Sequence, residues 1–324
     1  MNKTLIVAAV ASLAAGSALA QSSVTIYGRA NVSAENQKNI GAVGTQRVLQ
    51  NSASRIGFKG TEDLGGGLKT NFILEHGFNI DTGAASSTSF WARQAEVNIG
   101  SASYGTIRLG TFTSEAYFAT ADYVSMHNHD TGTSEDKLYA YLGRNTNKIA
   151  YRLPEFLKGL SLEGAVSAAE GVAGQGRTWD GAANYNAGPL ALGLGYERAA
   201  GSSQVGVRAL YEFGPVVLGG YYQRHDDATL GVRNLFRLSG AYMVGQSEFH
   251  LNVGRSGDFD KLKNSAATQY TLAYNYNLSK RTKVYAFYSG VNNGDNYAFF
   301  GGKKNAAGKY LDTKSLAFGI RHNF

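Results

Sequence analysis

Basic side chains recur on the polar faces of short alternating segments, and their spacing indicates electrostatic rather than catalytic chemistry. Arg55 shares a face with Gly57 and Lys59, opposite Ile56 and Phe58. A second segment sets four polar residues against three apolar ones: Arg144, Thr146, Lys148 and Arg152 against Ile149, Tyr151 and Leu153. Guanidinium groups stay charged at every working pH. A row of them in a narrow, poorly screened passage would therefore concentrate anions and disfavour cations.

Residues that could support catalysis or metal binding lack the spacing that such sites need. The chain has no cysteine, which removes disulfides, thiolate nucleophiles and Cys-type zinc sites. His127 and His129 form an H-x-H without a third ligand, and Asp258-Phe-Asp260 lacks the other oxygens of a calcium loop. No G-x-S-x-G, P-loop or G-x-G-x-x-G motif occurs. We therefore predict no catalytic residue, no metal site and no cofactor.

The amino-terminal segment has the features of a secretory signal peptide. Met1-Asn-Lys3 is positively charged, Leu5 to Leu19 is apolar and rich in alanine, and Ala18-Leu-Ala20 is a small-x-small cleavage site before Gln21. A membrane anchor is the alternative, but the run is short and rich in Ala and Ser. We expect a signal peptide at 1–20 and one domain at 21–324. Because no other segment approaches about 18 apolar residues, any entry into a membrane would use strands.

The composition favours a chain of many strands and tight turns. The 324 residues include 41 glycines, 20 tyrosines and only 3 prolines. A mean hydropathy of −0.23 accompanies strong local alternation, which is typical of a barrel with aromatic girdles. The pI near 9.3 would permit nucleic-acid binding, but the basic residues are scattered along strands instead of forming a patch. We therefore predict no nucleic-acid partner.

Short and long joints alternate strictly along the chain. Seven short joints resemble turns: 60–67, 100–105, 154–159, 186–189, 213–215, 244–246 and 278–281. Eight longer polar stretches lie near 34–46, 79–89, 113–143, 169–177, 199–203, 225–233, 256–266 and 291–312. Fifteen joints connect sixteen strands. The sequence therefore predicts an all-β fold, a 16-stranded antiparallel transmembrane β-barrel with short periplasmic turns and long external loops.

The last strand shows how such a wall would divide lipid from water. Leu316, Phe318, Ile320 and Phe324 fall on one face, and the other face carries Ser315, Ala317, Gly319 and Arg321. We expect this strand to pair with the one beginning at Val24 and to close the barrel, with Phe324 as the mark of closure. Sixteen strands enclose a lumen too wide for side chains to fill, so an aqueous channel follows.

One early segment contradicts the simple alternation. Gln94, Glu96 and Asn98 would occupy the outer face of a strand from Phe90 to Ile99. Polar side chains cannot lie comfortably in lipid. We therefore expect the first strands to pack against another copy of the chain, which predicts a homo-oligomer.

Four spaced motifs resemble those of the Gram-negative general porins. They are Ser23-Val-Thr-Ile-Tyr-Gly28, the segment Ser54-Arg-Ile-Gly-Phe-Lys-Gly-Thr-Glu-Asp-Leu-Gly-Gly-Gly-Leu-Lys69, Asn277-Leu-Ser-Lys-Arg-Thr282 and Gly319-Ile-Arg-His-Asn-Phe324. The likeness covers the whole mature chain and is close to the anion-selective, trimeric branch. It implies a homotrimer in the cell outer membrane, surrounded by outer-membrane lipid and lipopolysaccharide. It also implies a third external loop, about 113–143, folded into the lumen.

The same resemblance implies the residues of a constriction. In similar porins three wall arginines, from strands two, four and six, face acidic groups of the third loop. The matching positions are Arg55, Arg93 and Arg144, with Asp122 and the wall residue Glu75 as leading acids. The basic track would continue along Lys59, Lys69, Lys148 and Arg152. The inward direction of Arg93 rests on the resemblance alone, because the alternation would place Arg93 on the same face as the apolar residues Val97 and Ile99.

The sequence therefore predicts an outer-membrane general diffusion porin, with a water-filled and anion-preferring channel for small hydrophilic solutes and ions. A substrate-specific sugar channel is one alternative. It would need aromatic residues along the lumen, whereas most Tyr and Phe here fall on lipid-facing parities. An outer-membrane enzyme is another. It would need a nucleophile beside a wall histidine, and His76, His250 and His322 lack a Ser and a carboxylate at recognisable spacing.

Overall fold

Period-two alternation folds the chain into one closed antiparallel sheet. The computed structural model describes residues 23–122, 124, 132–143, 145–170 and 176–324. The expected signal peptide at 1–20, the pair His127 and His129, and Arg144 lie outside these residues. No helix in the described part of the chain is both long and apolar enough to span a membrane.

Sixteen barrel strands follow in chain order, each hydrogen-bonded to the next. The strands are β1 Ser23–Lys38, β2 in two parts Thr45–Asn51 and Arg55–Gly65, β3 Leu68–Gly77, β4 Gln94–Ser101, β5 Gly105–Thr111, β6 Lys148–Arg152, β7 Leu160–Ser167, β8 Thr178–Ala187, β9 Leu190–Ala199, β10 Ser202–Phe213, β11 Val216–Asp227, β12 Gly231–Val244, β13 Ser247–Ser256, β14 Ala267–Asn277, β15 Thr282–Asn293 and β16 Thr313–Asn323. The ring closes between β16 and β1. This arrangement confirms the predicted fold.

The second strand is interrupted where it crosses the middle of β1. Both of its parts pair with β1, with Val32 opposite Asn51 and Arg29 opposite Arg55. Between them Ala53 takes a positive φ of 53°, which pushes the backbone out of the ladder. The Ser54 hydroxyl accepts a hydrogen bond from the Asn31 N–H at 3.0 Å. Side-chain bonding therefore replaces the ladder at this irregularity.

The carboxy-terminus completes the seam of the barrel. The Phe324 N–H donates to the Gly28 carbonyl at 3.1 Å, and the Gly28 N–H donates to the Phe324 carbonyl at 2.9 Å. The ring of Phe324 lies directly over Gly28, because a Cβ built there would be 2.3 Å from the ring. The last residue thus extends the β16–β1 ladder and covers its end.

A side chain at Gly28 should weaken this seam. We expect Gly28→Val to displace the Phe324 ring and to destabilise the barrel by about 1 to 3 kcal/mol, the usual cost of overpacking. The readout is the temperature at which the folded barrel loses its compact migration on a gel without prior boiling. Gly164→Val is the matched control, since a Cβ at Gly164 meets no atom within 4 Å. Equal midpoints for the two variants would contradict the proposed packing.

All seven predicted short joints are turns in the structure, but two of the predicted long loops are also short. The joints expected at 199–203 and 225–233 span only residues 200–201 and 228–230. His225 and Arg233, two of the polar residues that suggested a loop, are buried inward positions of β11 and β12. Polarity near a strand end therefore indicates a lumen-facing position as well as a loop.

The polar face of Gln94, Glu96 and Asn98 points into the lumen, so its predicted outward direction is wrong. Glu96 is buried, whereas Val97 and Ile99 are exposed on the outside. The strand begins at Gln94 and not at Phe90, because residues 78–93 form a loop. This polar face therefore gives no support for a homo-oligomer.

Candidate functional site

The described parts of the third external loop, which connects β5 to β6, fold into the barrel. Its first part forms one helical turn at Glu115–Tyr117 and a π-helical turn at Phe118–Asp122. The Ser114 hydroxyl caps the first turn by accepting from the Ala116 N–H at 3.1 Å. The segment stays close to the wall because the strands beneath it carry glycine.

Two inward glycines of β9 determine how closely the loop approaches. A Cβ at Gly193 would lie 1.8 Å from the Ala119 carbonyl oxygen, and one at Gly195 would lie 2.5 Å from the Ala116 oxygen. No side chain fits in either position. The side chains of Leu192 and Leu194 therefore face outward, and the glycines that alternate with them let the loop backbone contact the inner face of β9.

The returning part of the loop is fixed by an ion pair and hydrogen bonds. Arg237 of β12 contacts Asp136 at 2.6 Å, and Tyr221 also donates to Asp136. The amide of Gln223 bonds both the N–H and the carbonyl of Ala140, each at 2.9 Å. Farther around the ring, the Thr133 hydroxyl donates to Glu35 of β1 at 2.7 Å.

This attachment makes one part of the lumen dry. Inward side chains of β11 to β15 form a buried cluster with the loop residues Ala121, Val124 and Leu138. Val124 and Leu138 have no exposed surface. At the level of this cluster, the part of the lumen that the described residues leave open lies beside β16 and β1 to β6, and a cavity remains on the periplasmic side of the loop.

The wall of that open part carries a cluster of cations around one carboxylate. Glu75 of β3 lies 3.7 Å from the Arg55 Nε and 2.6 Å from the Arg93 Nε. Arg93 precedes β4, and its side chain passes over Gly77 on the inner face. The structure thus brings Arg55, Arg93 and Glu75 together. The alternation of Val97 and Ile99 does not fix the direction of Arg93, because Arg93 lies before the first residue of the strand.

Tyr27 and Lys59 complete this cluster, and Arg29 lies beside it with its side chain directed to Asn323 of β16. The Tyr27 ring lies against the backbone of Gly57, and its hydroxyl donates to Glu75. Lys59 lies over the Tyr27 ring at 5.3 Å from its centroid. Arg29 of β1 is the cross-strand partner of Arg55. The sequence did not single out Arg29, although its position between small and polar residues was a usable signal.

The acidic side of the predicted constriction is less compact than the basic side. Asp122 ends the π-helical turn of the loop, which packs on β8 to β10, across the lumen from Arg55 and Arg93. Arg144 lies outside the described residues. Lys69 is exposed near the periplasmic end of β3, opposite Asp63.

Lys148 does not line an open passage, which corrects its predicted role in the basic track. Its ammonium lies 2.7 Å from Asp180 of β8, and the two side chains are only 0% and 1% exposed. Arg152 faces inward as expected but contacts Glu115 and Glu163, each at 2.9 Å. Neither cation is therefore available as an isolated positive charge.

A second charged cluster was not found from the sequence. Arg108 of β5 contacts Glu96 at 2.8 Å and Glu163 at 2.9 Å, and Glu115 lies 3.6 Å away. Together with Arg152 this gives two cations for three carboxylates. The alternation of Ile107 and Leu109 with Arg108 was the available signal. This cluster therefore carries one more carboxylate than cations, whereas the cluster around Glu75 has more cations than carboxylates.

Comparison with known proteins gives consistent matches over most of the chain. A family model described as Gram-negative porin matches residues 7–296. The outer membrane porin protein 32 of Delftia acidovorans is 32% identical, with 91% of each chain covered. An outer membrane porin protein of Bordetella pertussis is 28% identical over 100% of both chains.

Solved structures show the same fold. The anion-selective porin from Comamonas acidovorans superposes with a TM-score of 0.73 at 24% identity, covering 94% of this chain and 100% of that one. Salmonella typhi OmpF gives a TM-score of 0.75 at 16% identity, with 93% and 97% covered.

Proposed function

Because the chain belongs to the Gram-negative porin family, we propose that it is a general diffusion porin of the outer membrane with a preference for anions. The passage is water-filled, and small hydrophilic solutes and ions cross it passively. The observation that supports the anion preference is the imbalance of charge around Glu75. Arg55, Lys59 and Arg93 give three cations for one carboxylate.

The physical effect is a local change in ion concentration. Field lines from fixed cations are focused where low-dielectric walls exclude water, so anions accumulate and cations are repelled. The constriction consists of Arg55, Arg93 and Glu75, supported by Arg29 and Lys59. Arg144 and Asp122 belong to the same proposal, with Asp122 as the acid across the lumen. Tyr27 positions Glu75 and keeps it close to the arginines.

The experiment that tests this function is recording from planar bilayers under a gradient of potassium chloride. Potassium and chloride have similar mobilities, so the reversal potential reports the fixed charges of the passage. We expect a sign that corresponds to chloride preference, together with conductance that does not saturate with salt. A reversal potential of the opposite sign would contradict the electrostatic assignment.

We also propose a homotrimer in contact with outer-membrane lipid and lipopolysaccharide. An exposed aromatic group on the outside of the early strands supports the self-association. Phe90 is 61% exposed and stacks on the outward His76 at 4.1 Å between ring centroids, with Trp91 against both rings. Cross-linking in native membranes, together with triplet conductance steps, tests the trimer. Single conductance steps alone would contradict it.

The anion preference should depend on pH through Glu115. This loop residue borders a cavity of about 640 Å³ on the periplasmic side of the loop. Burial raises the pKa of Glu115, and the nearby Glu163 and Asp180 carboxylates raise it further, against the lowering by Arg152. Glu115 therefore becomes neutral at a higher pH than an ordinary carboxyl. As the pH falls, the passage loses one negative charge.

We expect the chloride preference to rise on acidification from neutral pH, by up to about twofold for one charge partly screened by salt. In Glu115→Gln the preference should already be raised at neutral pH, with a flatter profile. Glu212→Gln, at the periplasmic rim of the same cavity, is the control. The same pH dependence in wild type and Glu115→Gln would exclude Glu115 as its source.

A further inference from the structure

The inner wall carries an apolar patch at the periplasmic ends of β10, β11 and β12. Four residues follow the inward alternation of these strands and border the cavity of about 640 Å³ beneath the third loop: Leu210, Val217, Ala241 and Met243. Val217 and Ala241 are buried, Leu210 is half-buried and Met243 is 41% exposed. A concave site with an apolar lining and a few polar groups is typical of small-molecule binding.

The patch is continuous from strand to strand and forms the floor of the cavity. Val217 and Ala241 are direct cross-strand partners. The Leu210 side chain leans over the neighbouring strand, since a Cβ built on Gly219 would be 3.4 Å from the Leu210 Cδ1. Phe118 of the third loop borders the same cavity. The floor therefore leads from the periplasmic rim to an aromatic ring of the loop.

One carboxylate at the rim of the cavity is open to water. Glu212 is the inward residue that follows Leu210 on β10, and it is exposed. In the part of the chain that the structure describes, no cation pairs with Glu212. The other two carboxylates of the cavity are paired, Glu115 with Arg152 at 2.9 Å and Glu248 with Lys283 at 3.0 Å. Glu212 is therefore the group that can receive a cation from solution.

The deep end of the cavity carries the opposite charge. Arg208 lies four residues before Glu212 on the same face of β10, which separates their Cα atoms by about 13 Å. Arg208 is only 5% exposed, and it donates to the Phe118 carbonyl and to the Asn184 side chain at 3.3 Å each. Because it is buried and bonded to the loop, Arg208 offers little to an anion. Its charge nevertheless excludes a cation from the deep end.

We propose that this cavity binds amphipathic organic cations, namely monoamines with an apolar body about the size of a phenylethyl group. The ammonium lies beside Glu212 at the rim, and the body lies on Leu210 and Val217 and points toward Phe118. Apolar burial and an exposed ion pair both favour this pose. The ligand enters from the periplasmic side. Its entry rests on the water-filled passage of the proposed function and not on the anion preference.

The test uses the absence of cysteine from the chain. Met243→Cys places a single thiol at the edge of the floor, where the neutral reagent N-ethylmaleimide can label it. We expect 2-phenylethylammonium to slow the labelling saturably, about tenfold at a concentration roughly ten times the half-saturating one. Ser103→Cys is the matched control. It lies in an exposed turn outside the cavity and should show no protection.

Three related compounds test the chemical class of the ligand. Methylammonium lacks the apolar body and 2-phenylethanol lacks the charge, so each should need about a fivefold or higher concentration for the same protection. The anion 3-phenylpropionate should protect least. Stronger protection by this anion than by the amine would overturn the proposal and assign the cavity to carboxylates bound by Arg208. Absence of protection by all four compounds would also overturn it.

Two further variants test the role of Glu212. In the Met243→Cys protein, Glu212→Gln should raise the half-saturating amine concentration by about threefold to fivefold, the usual effect of an exposed ion pair. Glu62→Gln removes an exposed carboxylate at the end of β2, outside the cavity, and should leave that concentration unchanged. Equal values for Glu212→Gln and Glu62→Gln would overturn the assignment.

Calorimetric titration of 2-phenylethylammonium into proteins without an introduced cysteine gives a second measurement. Wild type and Glu62→Gln should bind the amine alike in one detergent, and Glu212→Gln should bind it more weakly. Equal binding by all three would count against the site even if Met243→Cys failed to fold. Neither labelling nor calorimetry needs an ion current. A reversal potential that contradicted the anion preference would therefore leave these results unchanged.

Discussion

Replacing both Arg55 and Arg93 by glutamine will remove most of the anion preference of this channel. The two guanidinium groups converge on Glu75, so their loss leaves Lys59 as the nearest cation named in that cluster. At about 7 Å and an effective dielectric near 40, one unit charge changes the energy of a passing ion by about 1 kcal/mol, or roughly fivefold in concentration. We expect the chloride-to-potassium permeability ratio to fall by about fivefold or more, measured as a reversal potential in bilayers.

Two matched variants make the result specific. Glu75→Gln removes the only carboxylate of the cluster and should shift the reversal potential in the opposite direction, toward stronger chloride preference. Arg224→Gln removes an outward arginine and should leave it unchanged. A double variant at Arg55 and Arg93 that keeps the wild-type ratio would show that the selectivity is set elsewhere. The cluster around Arg108, with two cations and three carboxylates, would then be the next region to test.

Removing Arg237 alone will release the third loop from the wall. The Arg237 and Asp136 side chains are 0% and 4% exposed, and Arg237 also donates to Asn252 and Gln269 at 2.7 Å each. Arg237→Met leaves a buried carboxylate without its cation, which typically costs about 3 to 5 kcal/mol. The loop can avoid this cost by moving Asp136 into water. We expect a larger and noisier single-channel conductance, and new trypsin cleavage after Lys137, whose side chain is only 11% exposed in the attached loop.

The double variant Asp136→Asn, Arg237→Met provides the control. It removes both charges, so the desolvation cost of an unpaired carboxylate disappears and the loop should return close to its wild-type position. Conductance noise and trypsin cleavage should then approach those of the wild type. Wild-type conductance and full protease resistance in the Arg237→Met variant would show that the remaining contacts, such as Gln223 with Ala140, are sufficient to hold the loop.

The alternation of side chains predicted the wall of the barrel well because it is a local property. A strand has a period of two whichever strand is its neighbour, so Leu192 and Leu194, or Leu316 and Phe318, could be assigned to the outer face without knowledge of the partner. The order of short and long joints gave the number of strands for the same reason. The error in this strand came from Phe90, which was taken as an outward strand residue although it lies in a loop. The alternation fixes only which side chains share a face, so one wrong reference residue reverses the assignment of both faces.

The charged residues show the same difference between what local sequence predicts and what it does not. Sequence resemblance identified Arg55, Arg93 and Glu75, and the structure brings these three together. The resemblance could not reveal that Lys148 forms an ion pair with Asp180, or that Arg108 forms ion pairs with Glu96 and Glu163. Each of these pairs joins residues that are distant in sequence. Whether an inward cation contacts water or a carboxylate depends on the register of several strands. The alternation within one strand does not specify that register.

The sequence by itself determined a sixteen-stranded membrane barrel with the Gram-negative porin motifs, because alternation, turns and motif order are written in neighbouring residues. Only the tertiary structure decided where the passage runs. That decision depends on the third loop, which seats on Gly193 and Gly195, attaches through Asp136 to Arg237 and forms a buried cluster with inward side chains of β11, β12, β14 and β15. The open part of the lumen is therefore the part lined by Arg55 and Arg93, since the attraction that holds the loop acts between residues brought together only when the barrel closes.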